Sequence, residues 1–163
     1  MQTSTRIKWL TRTAFLLAIA LVFQMGGFPQ PITGPLVNTV LYLAASIVGW
    51  QGGILIGILT PLVAAMRGIL PPPLAPLIPF IALGNSLMVV LFYLLKFKNK
   101  IIAIIIASLV KFSILFSAVN LLVQVPPAVS QMMSLPQLIT ALTGGIVALL
   151  VMALLKKANI RIE

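Results

Sequence analysis

Residues 96–123 read KFKNKIIAIIIASLVKFSILFSAVNLLV. Three lysines, Lys96, Lys98 and Lys100, precede a mostly apolar run from Ile101 to Val123. A membrane-spanning helix needs about 20 such residues, and basic residues cluster at the end that stays on the cytoplasmic side. The stretch therefore reads as a lysine turn followed by a membrane helix.

The rest of the chain agrees with this reading. Of its 163 residues 61% are hydrophobic and 7% charged, with a mean hydropathy of +1.19. A soluble domain carries about 25% charged residues to cover its surface. The composition predicts an all-α polytopic membrane protein. Besides the helix at 101–123, helices are expected at about 9–25, 35–48, 53–66, 76–95 and 135–155. Together they make one six-helix domain spanning 1–163. Gly49-Trp50-Gln51-Gly52-Gly53 is a breaker between the second and third helices. Pro35 and Pro76 suit first helical turns. Ser134 and Gln137 fit a capping box. Pro61 should bend the third helix. Arg6, Lys8 and Arg12 before the apolar run Thr13–Phe23 have the outline of a signal peptide. No small-residue cleavage pattern follows, so a first membrane helix is expected instead.

Charge sets the orientation. With six helices, three basic groups fall on one side: Arg6, Lys8 and Arg12; Lys96, Lys98 and Lys100; Lys156, Lys157 and Arg161. These are nine of the eleven basic residues, and the positive-inside rule puts them, with both termini, in the cytoplasm. Topology thus accounts for the net charge of +10, and nucleic acid binding is not needed to explain it. The opposite side holds the connections 26–34, 67–75 and 124–134. They are rich in proline, carry no acid, and are expected to pack on the bundle as lids over a cavity.

Several chemistries are excluded. There is no Cys or His, and Glu163 is the only acid. Thiol chemistry, a histidine or carboxylate metal site and an acid-based proton relay all lack their residues. No phosphate-cradling G-x-x-x-x-G-K-[ST] loop is present, so the chain reads as neither an enzyme nor a carrier of a cofactor.

Seven residues are candidate solute contacts. Lys111 lies roughly 16 Å along its helix from Lys100 by helical rise. A charge at that depth marks a functional site unless the side chain snorkels to an interface or is deprotonated when the site is empty. Ser113, Ser117, Asn120 and Gln124 form a polar stripe on the outer half of the same helix. Ser117, Asn120 and Gln124 are candidates for lining a cavity, or for hydrogen bonding between helices. Lys111 projects about 160–220° away from that stripe, so one straight helix cannot aim both at one site. Asn38, on the expected first turn of the second helix, and Asn85 either contact a ligand or join helices. Arg67, the one charge on the outer face, is a candidate anion clamp at the mouth, or a headgroup contact. Small residues four apart, Ala14/Ala18, Gly53/Gly57, Ala103/Ala107 and Ala141/Gly145, permit close helix packing.

The chain resembles the substrate-binding S component of an energy-coupling factor (ECF) vitamin transporter. The resemblance rests on the six-helix plan, the basic lead and the outer loops. It rests also on helix 1, TRTAFLLAIALVF, whose Ala14-Phe-Leu-Leu-Ala18 matches the family's AxxxA motif. Residues 32–71, ITGPLVNTVLYLAASIVGWQGGILIGILTPLVAAMRGILP, look like members of unassigned substrate. The resemblance implies a multi-pass protein of a prokaryotic plasma membrane. It would capture a small vitamin-like solute from outside, under loops 26–34 and 67–75. Thr11, Ala14 and Ala18 would dock on a transmembrane T component that works with two cytoplasmic ATPases. No acidic–aromatic pocket for a cationic ring is present, which favours an anionic or neutral solute. The alternatives are a non-transporting assembly subunit and a homo-oligomeric small-solute transporter.

Overall fold

The computed structural model describes residues 2–70 and 72–158; Arg161 and Glu163 lie outside them. Among the described residues there is no strand. The α-helices are α1 (Gln2–Met25), α2 (Gln30–Ile47), α3 (Gly49–Met66), α4 (Ile78–Leu95), α5 (Lys100–Ser117), α6 (Pro127–Met132) and α7 (Leu135–Lys157). A 3₁₀ turn, Pro72–Leu77, leads into α4, and a π turn, Ala118–Leu122, ends α5.

Five stretches are long and apolar enough to cross a membrane: Ser4–Met25, Gly49–Met66, Pro72–Leu95, Lys100–Leu122 and Pro127–Lys157. The chain is therefore an all-α, multi-pass membrane protein. At 18 residues α2 is as long as α3, yet it falls outside that set. Polar residues lower its hydropathy, and its position in the bundle accommodates them. Eleven of its residues are buried, including Asn38, Thr39, Tyr42 and Ser46. A helix ringed by protein does not face lipid tails, and its polar groups find partners on neighbouring helices. Tyr42 shows this: its hydroxyl bonds Ser108 Oγ of α5 at 2.9 Å, and its ring meets Phe92 of α4 edge-on, 4.9 Å between centroids.

Register follows from the closest approaches. α2 and α7 run parallel, Gly34 beside Thr140 and Gly144 beside Asn38 and Thr39. α3 and α4 run antiparallel, Gly57 beside Asn85 and Gly53 beside Val89. α2 and α5 are antiparallel, since Tyr42 meets Ser108 and Asn38 meets Lys111. Hence the start of α1, the α2–α3 and α4–α5 turns and the end of α7 share one end of the bundle. That end carries Lys8, Arg12, Lys96, Lys98, Lys100, Lys156 and Lys157.

Several local expectations are corrected. α2 starts at Gln30, with Pro31 in its first turn, so Pro35 lies inside the helix. The backbone between α1 and α2 shrinks to Gly26–Pro29, and residues 30–34 are helix rather than a lid. Asn38 is consequently mid-helix and not in the first turn. The breaker after α2 is only Val48-Gly49. Gly49 has φ 79°, where a Cβ is unfavourable. The following residues Gly52 and Gly53 stay helical. The capping box does not form. Ser134 Oγ donates to Ser130 O of the preceding short helix at 2.7 Å, and Gln137 Nε2 reaches Met132 O at 3.4 Å. Pro76 lies in the 3₁₀ turn, and Pro79 takes the first turn of α4. The cap that does form is Asn99, whose Oδ1 accepts from the N–H of Ile101 at 2.9 Å and of Ile102 at 3.2 Å.

The proline-rich connections at the end opposite the lysines pack on one another. Leu74, Leu77, Ala118, Val119, Val129 and Met133 make a second small core, apart from the one between the long helices.

Candidate functional site

A cavity of about 80 Å³ lies beneath that second core, at the end away from the lysine clusters. Its floor and walls carry Asn38 of α2, Thr60 of α3, Asn85 of α4, Lys111 of α5 and Gln137 of α7. Its roof includes Gln30, Leu70, Leu74 and Met133. With Gln24 of α1 and Thr33 of α2, polar side chains from six helices meet in one space.

Lys111 is the centre of the arrangement. It is 4% exposed, so it does not snorkel, and its Nζ donates to Asn38 Oδ1 at 2.6 Å. An ammonium has three donors, and an amide oxygen is a neutral partner. Among the described residues there is no Asp or Glu to neutralise it. A buried charge is expensive unless it is paired.

Asn85 is fixed by a defect in α3. Pro61 has no N–H, so the carbonyl four residues earlier, on Gly57, loses its helical donor. Asn85 Nδ2 fills the gap, donating to Gly57 O at 3.1 Å. Its Oδ1 is buried and has no hydrogen-bond partner in the protein. Buried polar atoms are rarely left so, and each exception calls for an explanation. Here the orphaned acceptor belongs to a cavity-lining side chain, and a ligand donor would satisfy it. Thr60, next to the proline, returns its hydroxyl to Ile56 O at 2.6 Å.

Asn38 is set by close packing. A Cβ on Gly144 would come within 2.7 Å of both Asn38 Cβ and Pro35 O. Only glycine lets α7 approach α2 this closely. Thr39 Oγ1 then sits 2.8 Å from Pro35 O and 3.0 Å from Gly144 O, one hydroxyl proton serving the two carbonyls.

The structure thus brings Asn38, Asn85 and Lys111 together and leaves the other four candidates outside. Asn120 and Gln124 are exposed and Ser117 is half-buried, and none of them lines the cavity. Their stripe points away from Lys111, as the helical angle requires. Its side chains bond locally: Ser113 Oγ to Leu109 O at 2.9 Å and Asn120 Nδ2 to Phe116 O at 2.8 Å. The second bond engages the carbonyl next to the π turn, which closes through Val123 N–H to Ala118 O at 2.8 Å. Arg67 is exposed and caps the end of α3, where a cation suits the helix dipole, and it does not reach the cavity. Gln137, Thr60 and the roof residue Met133 were not expected. Gln137 was hidden by its apparent capping role. Met133 carries no polar signal, and only the folded-over 124–134 connection puts it there.

The small-residue pairs divide in the same way. Gly53/Gly57, Ala103/Ala107 and Ala141/Gly145 pack inside the bundle. Ala14 and Ala18 are exposed, as is Thr11, whose hydroxyl bonds its own helix at Ile7 O, 2.9 Å away. Leu10, Phe15 and Val22 of α1 are also exposed.

A family model described as "ECF transporter, substrate-specific component" matches residues 8–156. Comparison with curated proteins and with solved structures returned no match. The family match runs from the basic lead of α1 to the last turn of α7 and takes in every residue of the cavity. The chain belongs to the family of ECF transporter substrate-specific components, the substrate-binding, non-enzymatic membrane subunits of these transporters.

Proposed function

We propose that this subunit captures a small anionic, vitamin-like solute in the Lys111 cavity and hands it on with a T component and two ATPase subunits. The observation that carries this reading is the buried Lys111 Nζ, which lines the cavity with one neutral partner and no acid among the described residues. A carboxylate fits that charge, and a hydroxyl or N–H donor elsewhere on the solute fits the Asn85 Oδ1 acceptor. The free space, about 80 Å³, suits a few water molecules, whereas drug-sized ligands occupy roughly 300–1,000 Å³. The roof, made by the 67–75 and 124–134 connections together with the first turns of α2, therefore moves to admit the solute. The positive-inside rule favours a cytoplasmic basic end and an outward cavity, in a six-span single domain of a bacterial plasma membrane. The exposed Thr11–Ala14–Ala18 face of α1 fits the docking surface for the T component, because the other small pairs are already used within the bundle. ATP hydrolysis then belongs to the partners.

The test is to identify small molecules that co-purify with the protein, by mass spectrometry, and to measure binding of a carboxylate panel by thermal stabilisation, since a ligand specific for the native state raises its stability. Lys111→Met should weaken binding of an anionic ligand by roughly thirty-fold or more, the effect of removing one partner of a buried charge pair. Arg67→Gln should leave binding unchanged. Undiminished anion binding in Lys111→Met would overturn the assignment of the anion to this cavity.

A further inference from the structure

A second and larger cavity, about 510 Å³, opens at the basic end of the bundle. The start of α1, the α2–α3 turn and the end of α4 enclose it. Three cations line it, Lys8, Arg12 and Lys96, along with Trp9, Trp50, Tyr93 and Phe97. Lys96 is fixed in the wall: it is 6% exposed, its Nζ donates to Ala45 O at 3.3 Å, and it lies 4.6 Å from the Tyr93 ring centroid and 4.9 Å from that of Phe97. Trp9 is held by its indole N–H, which donates to Val48 O at 2.8 Å. Lys8 and Arg12 are exposed at the rim. Cation and aromatic side chains thus occupy one concave space.

We infer that this cavity holds the phosphate headgroup of an anionic phospholipid. Its place decides between possible anions. The cavity sits where apolar spans give way to the lysine clusters, the level at which tryptophan and tyrosine line a bilayer surface. Basic pockets between membrane helices suit phosphate headgroups. Beside it, Leu10, Leu94 and Phe97 are 60%, 61% and 73% exposed, which provides an apolar flank for acyl chains. Lys8 and Arg12 face the phosphate from the rim. The site is separate from the Lys111 cavity and does not depend on the identity of the transported solute.

The chain contains its own probe. It has two tryptophans, Trp9 and Trp50, and both line this cavity. The full-length protein is placed in nanodiscs of phosphatidylcholine and phosphatidylglycerol, with bromine on the acyl chains of one lipid at a time. At equal mole fraction, brominated phosphatidylglycerol should quench the tryptophans as though enriched roughly tenfold over brominated phosphatidylcholine, a discounted sum for two rim cations. Lys8→Gln with Arg12→Gln, both exposed positions, should bring the two lipids to within about twofold of each other. Equal quenching by both lipids in the unmodified protein would overturn the inference. So would loss of the preference on adding millimolar inorganic phosphate at constant ionic strength, which would make free phosphate the ligand. An unchanged preference in the double variant would overturn the assignment to these side chains.

Discussion

The bond between Lys111 and Asn38 can be tested by a double-substitution cycle. Each partner is under 5% exposed, and they lie 2.6 Å apart. Asn38→Leu leaves the ammonium buried without its acceptor. Leaving a buried ammonium without its hydrogen-bond acceptor should cost about 3 kcal/mol. Lys111→Met removes the charge, keeps a similar volume, and leaves only the neutral Asn38 oxygen unpaired, for about 1–2 kcal/mol. In the double variant no polar group is stranded, and what remains is imperfect packing, again about 1–2 kcal/mol. The two substitutions should therefore fall short of additivity by about 3 kcal/mol, the upper end for residues in direct contact. The assay is reversible denaturation of the ligand-free protein in detergent micelles, following helix content for the four forms. Additivity within about 0.5 kcal/mol would refute the reasoning, because independent sites behave that way. So would Lys111→Met proving more damaging than Asn38→Leu.

Other consequences can be checked alongside. Gly144→Ala puts a methyl 2.7 Å from Asn38 Cβ and Pro35 O, and should destabilise by about 1–3 kcal/mol while weakening solute binding, because Asn38 moves with α2. Unchanged melting and binding would mean that α7 is not held so close. Asn85→Ala strips the substitute donor from Gly57 O and should cost about 1 kcal/mol; the same substitution combined with Pro61→Ala, which restores the helical N–H, should cost less. Equal losses in the two backgrounds would count against the proline explanation. Ala14→Leu with Ala18→Leu should abolish uptake in cells yet leave solute affinity and melting unchanged, since both positions are exposed. Loss of affinity in the isolated protein would contradict the docking role.

The sequence by itself determined the class of the protein. Composition and the spacing of lysines between apolar runs are one-dimensional quantities, and they suffice to give an all-α membrane chain with its basic turns on one side. They also suffice to place Lys111 opposite the Ser113–Gln124 stripe, because helical angle depends on residue number alone. Ends of helices were less legible, for local rules were overridden by neighbours. Ser134 found Ser130 O nearer than a capping box, and Pro35 was absorbed into α2 beside α7. Only the tertiary structure decided which polar residues share a space. Asn38, Asn85 and Lys111 converge because glycines let α2, α3, α4 and α7 approach closely and because Pro61 leaves a carbonyl that positions Asn85. Arg67, Ser117, Asn120 and Gln124 look equally polar in the sequence, but their helices turn them outward. Which face of a helix is inward depends on what packs against it, and that contact is made between residues far apart in the chain.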